Sequence, residues 1–158
     1  MMKFQDSHSG EQLNAEKIIL ETLKQQYFTG DSTIHFGETP SVLGVKLDGY
    51  SVEPLVLVEI WARVGKAIGA HPDKVMSDFA KMVLIEKMLG RKGRKIFAVI
   101  CEDAIRFLQG KSWYRKFADV HDIEIVLVKV PEALKTQIRM AQVRQASKMP
   151  KKLKQRPG

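Results

Sequence analysis

Cysteine is all but absent: Cys101 is the only one in 158 residues, which excludes an intramolecular disulfide. It closes an apolar run and reads as a buried, reduced thiol of an intracellular protein, with the cytoplasm as the expected compartment. No histidine accompanies it locally, which argues against a cysteine nucleophile. Four scattered histidines offer no zinc-ligand spacing. No apolar run approaches the roughly 20 residues of a membrane span, so no membrane partner is expected. The opening MMKFQDSHSG lacks the apolar segment of a signal peptide. Residues 65–70, GKAIGA, carry two glycines but no closing Gly-Lys-Ser or Gly-Lys-Thr, which excludes a phosphate-binding P-loop. No internal repeat is present.

Acid is missing from one end of the chain. All 18 Asp and Glu lie within residues 1–132, where 18 Lys and Arg balance them, whereas residues 133–158 hold eight basic side chains and no acid. The net charge of +8 therefore sits entirely at the C-terminal end. Clustered cations bind phosphates chiefly by counterion release. Lys135, Arg139, Arg144, Lys148, Lys151 and Lys152 are accordingly the candidates to hold nucleic acid; a solvated, solubilising tail is the plain alternative.

With 44% hydrophobic and 28% charged residues, the remainder has the composition of one soluble domain with a real core. Residues 1–10 read as disordered, 11–148 as a single α/β domain and 149–158 as a basic disordered tail. EQLNAEKIILETLKQQYF, Glu11 to Phe28, carries a helical apolar stripe, and Gly30 follows it as a stop. Thr33 to Phe36 is a candidate strand, and residues 37–41 form a turn. His71-Pro72-Asp73 opens a helix to about Leu89, with proline at the first position and an acid in the first turn. Lys74, Asp78 and Lys81 share one stripe of it. They are either a surface Lys74–Asp78 pair or a polar face turned toward the acids described next. Arg91 to Lys95 is a basic connector. Ile96 to Cys101 is a buried strand, Glu102 to Gln109 and Ser112 to Ala118 are short helices, Ile123 to Val130 is a strand, and Pro131 opens a last helix to about Lys148. Trp113 and Tyr114 either pack in the core, the plainer role, or stack on bases. The alternation predicts a mixed central sheet flanked by helices on both sides.

The chemistry concentrates between Gly44 and Arg63, GVKLDGYSVEPLVLVEIWAR. Val45 to Tyr50 alternates, residues 49–54 are turn material, and Leu55 to Ile60 is a near-continuous aliphatic run. A hairpin centred between Glu53 and Pro54 sets Asp48 directly opposite Glu59, with Cβ atoms about 5 Å apart. Two carboxylates that close need a proton or a cation, and Mg²⁺, which takes one or two carboxylates plus water and phosphate oxygens, fits. The plain alternatives are that Asp48-Gly49 only punctuates a turn and that Glu59 pairs with Arg63 or a lysine for structural reasons.

This order, with an acid in each arm of a central hairpin, resembles the PD-(D/E)XK nuclease superfamily, the restriction-endonuclease-like fold, over roughly Glu11 to Val130. The resemblance implies Asp48 and Glu59 as metal ligands for Mg²⁺ or Mn²⁺, with Glu16 of the first helix as an added ligand. It implies phosphodiester hydrolysis, with DNA as the expected substrate, and leaves a homodimer open. The chain departs from the motif at Trp61, where the family has lysine. Some members draw that lysine from the following helix, which makes Lys74 the candidate, with His71, Lys81 and Arg63 as substitutes. A catalytically inactive relative that binds nucleic acid or a protein partner is the competing expectation, and an unrelated α/β domain with structural ion pairs is the third.

Overall fold

A two-residue turn opens the ordered sheet region. Leu43 and Gly44 both take positive φ, 52° and 78°, the pairing that a tight antiparallel hairpin requires. They join β1 (Ser41–Val42) to β2 (Val45–Lys46). The first arm of the expected hairpin is thus divided. Val45 and Lys46 fold back on β1, and β3 (Gly49–Ser51) alone pairs with β4 (Val56–Trp61). Gly49, expected in the turn, is a strand residue, because Ser51↔Val56 leaves residues 52–55 as the connection. The computed structural model describes residues 3–31, 41–66, 71–110 and 112–147. The expected strand Thr33 to Phe36 lies outside them.

β3 is antiparallel to β4, and β5 (Arg94–Val99) and β6 (Ile123–Leu127) follow in parallel, giving a four-stranded mixed sheet in the order β3-β4-β5-β6. The parallel pairs need crossovers. These are α2 (His71–Leu89), and α3 (Glu102–Gln109) with α4 (Trp113–Val120). The bounds of α2 and α3 are those the sequence predicts. β4 is buried on both faces, which is why its sequence is apolar throughout except for the one acid, Glu59. Leu57 and Trp61 join Val75, Phe79, Met82 and Ile85 of α2 and Ala104 and Leu108 of α3 in one core. Val58 and Ile60 join Ala15, Ile19 and Leu23 of α1 (Lys3–Tyr27) and Leu134 and Ile138 of α5 (Glu132–Ser147) in the other. Helices therefore cover both faces of the sheet.

Three boundaries move for physical reasons. α1 begins at Lys3, inside the stretch expected to be disordered. That stretch has no proline or β-branched residue to stop propagation, and extending a helix needs no new nucleus. β5 begins at Arg94, inside the expected basic connector, because both cations find acids. Arg94 makes two 2.8 Å hydrogen bonds to Glu124, and Lys95, 2% exposed, lies 2.6 Å from Glu86. β6 ends at Leu127, where the C-terminal end of α1 closes the sheet edge: Gln26 exchanges two hydrogen bonds with the Lys129 backbone, and Tyr27 donates to the Leu127 carbonyl. Among the described residues no helix is long and apolar enough to cross a membrane.

Candidate functional site

Gly49 pairs with Val58, so the antiparallel register carried one step further sets Asp48 opposite Glu59, at the open end of the hairpin rather than in its turn. Asp48 is held there by two hydrogen bonds. Its own N–H donates to Glu59 Oε1 at 3.2 Å, and its Oδ2 accepts from the Ile60 N–H at 2.7 Å. Close approach of α1 fixes the neighbouring residue as glycine: a Cβ on Gly49 would lie 2.8 Å from a Leu20 methyl carbon.

Glu59 alternates with Leu57 and Trp61, so it points into the α2 side of the sheet and is 3% exposed. Asp78 of α2 meets it there, 5% exposed, and shares a hydrogen bond with the Glu59 carboxyl. Such a bond needs a proton. Burial first, then the charges of Asp48 and Asp78 and the bond to Asp78, push Glu59 up to about 10, against a smaller opposing effect of Lys81. Asp48 is also raised. Burial outweighs the Ile60 N–H bond; Asp78 adds to the rise, and Lys74 and Lys81 oppose it. The cluster is thus three carboxyl groups from three segments, with two lysines of α2 beside them, and Glu59 carries the proton at neutral pH.

Asp78 is the residue that sequence reasoning places least well. As half of a surface pair with Lys74 it would be solvated. Instead it is buried, and Lys81 is its ion-pair partner, at 3.6 Å. Its signal is its place on the Lys74–Lys81 stripe, between the core residues Val75, Phe79 and Met82. Lys74 is exposed near the start of α2 and acts on Asp48 through its charge. His71 is held below the usual histidine range by burial, and by Arg63 and Lys74. Trp61 is 5% exposed and packs against His71, Phe97 and Phe107, with ring centroids 6.0, 6.2 and 6.1 Å away. The position that holds lysine in the resembled motif is therefore part of the core.

Glu16 is half-buried on α1, the helix that covers the sheet face opposite the one Glu59 enters. α5 lies on that same opposite face. Its Lys135 is half-buried and 3.5 Å from Glu132, while Arg139 and Arg144 are exposed. Lys148, Lys151 and Lys152 lie outside the described residues. Cys101 precedes α3 rather than ending β5; it is buried, and its thiol faces the carbonyls of Arg63 and Gly65.

The donor chemistry of Asp48 and Glu59 fits a hard divalent cation, since a cation could take the place of the proton that their burial imposes. Among the described residues there is no group of three or more His, Cys, Asp or Glu side chains that could hold a metal ion. Comparisons with protein-family models, with curated proteins and with solved structures find no match to this chain.

Proposed function

We propose that the protein is a divalent-metal-dependent phosphodiesterase acting on nucleic acid, with DNA as the expected substrate, on a restriction-endonuclease-like variant of the mixed α/β sheet. The observation that carries this reading is the opposed Asp48–Glu59 pair, buried with Asp78 and flanked by the α2 lysines. A structural role would be better served by neutral side chains, because each buried acid is costly without a counter-charge.

Asp48 and Glu59 would hold Mg²⁺ or Mn²⁺. Bound there, the ion supplies a Lewis acid for a phosphoryl oxygen and a more acidic water. The chain's own groups supply the rest. Lys74, exposed and acting on Asp48 through its charge, offers an ammonium to a phosphate oxygen and offsets charge that develops on it. Lys81, paired with Asp78, holds that carboxylate in place. The backbone bonds at Asp48 and Ile60 fix the two acids before substrate arrives, so little reorganisation is needed on binding. The basic side chains of α5 hold the nucleic-acid backbone without reading its sequence.

The test is cleavage of single- and double-stranded DNA with Mg²⁺ or Mn²⁺. Asp48→Asn and Glu59→Gln should each abolish cleavage while leaving DNA binding in place. Absence of cleavage by the wild-type protein under conditions where it binds DNA would count against the reading. Trp61 favours a second reading, a catalytically silent module that binds nucleic acid or a protein partner, because the motif lysine position is committed to packing. That reading requires binding that survives both Asp48→Ala and EDTA.

A further inference from the structure

A cavity of about 540 Å³ lies between α5, α1, the start of α2 and the residues that follow β4. Its volume falls within the roughly 300–1,000 Å³ of small-molecule sites. Gln142 braces it: its amide accepts from the Val64 N–H at 2.9 Å and donates to the Val64 carbonyl at 3.0 Å. α5 is thereby pinned to the chain just after Arg63. Arg63 and Lys74 both line the cavity, and neither makes an ion pair among the described residues. Arg63 is half-buried, and burial holds its guanidinium below its usual value with no acid to oppose the effect. A partly buried cation without a counter-charge is costly. No Asp or Glu is among the described residues that line the cavity; Arg144, engaged in an interaction of its own, adds a second guanidinium from α5. The remaining lining mixes polar and apolar groups. α5 presents the exposed amides of Gln137 and Gln145 on the same wall as the buried Leu134 and Ile138.

We infer that this cavity binds a small phosphate monoester with a hydroxylated body, of the sugar-phosphate class, its phosphate on Arg63 and Lys74 and its body on the α5 wall. A guanidinium holds phosphate in a bidentate fork, and an ammonium holds it as a point charge. A phosphate monoester carries close to two negative charges at neutral pH, which matches two cations better than the single charge of a carboxylate does. Each glutamine amide offers a donor and an acceptor to hydroxyl groups, while Leu134 and Ile138 offer an apolar surface to the C–H face of a sugar ring. That mixture suits a ring polar at its edges and apolar on its faces. An inorganic oxyanion would leave the amides and most of the volume unused. No Phe, Tyr or Trp is among the described lining residues, so none is there for a nucleobase to stack on. The inference does not rest on the phosphodiesterase reading: it uses neither Asp48 nor Glu59 and needs no metal.

The test is calorimetric titration of the full chain, in EDTA at neutral pH, with ribose 5-phosphate and glucose 6-phosphate, and with glucose, gluconate, inorganic phosphate and AMP as controls. At least one of the two sugar phosphates should bind at least tenfold more tightly than every control. Arg63→Gln should weaken that binding at least tenfold. Gln137→Ala should weaken the sugar phosphate several-fold and leave inorganic phosphate unchanged, which separates the amide contacts from the charge. Gln137 is exposed, so this variant keeps the test decisive if Arg63→Gln does not fold. Absence of binding of both sugar phosphates at millimolar concentration would overturn the inference. So would inorganic phosphate or gluconate binding as tightly, AMP binding more tightly, or wild-type affinity in a folded Arg63→Gln or in Gln137→Ala.

Discussion

Replacing Glu59 by glutamine should stabilise the metal-free protein and flatten its response to pH. The carboxyl has an ordinary value of 4.5 and is pushed up to about 10 in the fold. Between those values the folded chain keeps a proton that the unfolded chain has released. The unfolded state binds fewer protons there, so stability falls as pH rises, by about 1.4 kcal/mol per pH unit for one group. Below the unfolded value the site costs nothing through this route; from 4.5 to pH 7 the accumulated loss is about 3 kcal/mol. Asp48, raised in the same direction, adds to the trend. Glutamine keeps the shape, can donate to Asp78 and can accept from the Asp48 N–H, yet it has no proton to lose. Urea unfolding in EDTA from pH 5.5 to 8.5, followed by the fluorescence of the buried Trp61, reads the difference. Glu59→Gln should gain on wild type steadily across that range. A variant less stable than wild type at pH 8, with the same slope against pH, would refute the reasoning.

Two other changes bear on the frame around the site. Glu86→Gln leaves Lys95, 2% exposed, without its anion, and should lower unfolding free energy by about 3–5 kcal/mol; urea titration checks it, and a loss below about 1 kcal/mol would mean that the pair contributes only as a surface pair does. Gly93→Ala should destabilise more than Gly49→Ala. A Cβ at Gly93 would lie 2.7 Å from the Leu55 carbonyl oxygen, whereas at Gly49 it meets only the tip of the Leu20 side chain at 2.8 Å. Backbone cannot swing aside as a methyl group can, and the larger cost is expected in the range of overpacked cores, about 1–3 kcal/mol. Paired thermal melts of the two variants rank them.

Local chemistry made part of this legible from residues alone. A hairpin centred between Glu53 and Pro54 was enough to place Asp48 across from Glu59, and the register has that centre, although the connection is 52–55 and not the expected 49–54. Proline at Pro72 and the stop at Gly90, with φ of 66°, were enough to bound α2. The mixed sheet with helices on both faces followed from the alternation of elements. What escaped depends on partners distant in sequence. Lys95 looks like connector until Glu86 is beside it, and Asp78 looks like a surface acid until Glu59 and Lys81 enclose it. Leu43 gives no warning of a turn, because leucine is disfavoured at positive φ and only the β1–β2 pairing holds it there. Gln142, which pins α5 to the end of β4, has no sequence signal at all.

The central claim is that a cation held by Asp48 and Glu59 competes with the proton that the Glu59 carboxyl keeps in the fold. Titration of Mn²⁺ into the protein at pH 7, repeated in buffers of different ionisation enthalpy, counts the protons released on binding. The account predicts release of about one proton per Mn²⁺ bound, and its disappearance in Glu59→Gln. Binding with no proton release, or Mn²⁺ affinity unchanged by Glu59→Gln, would contradict it.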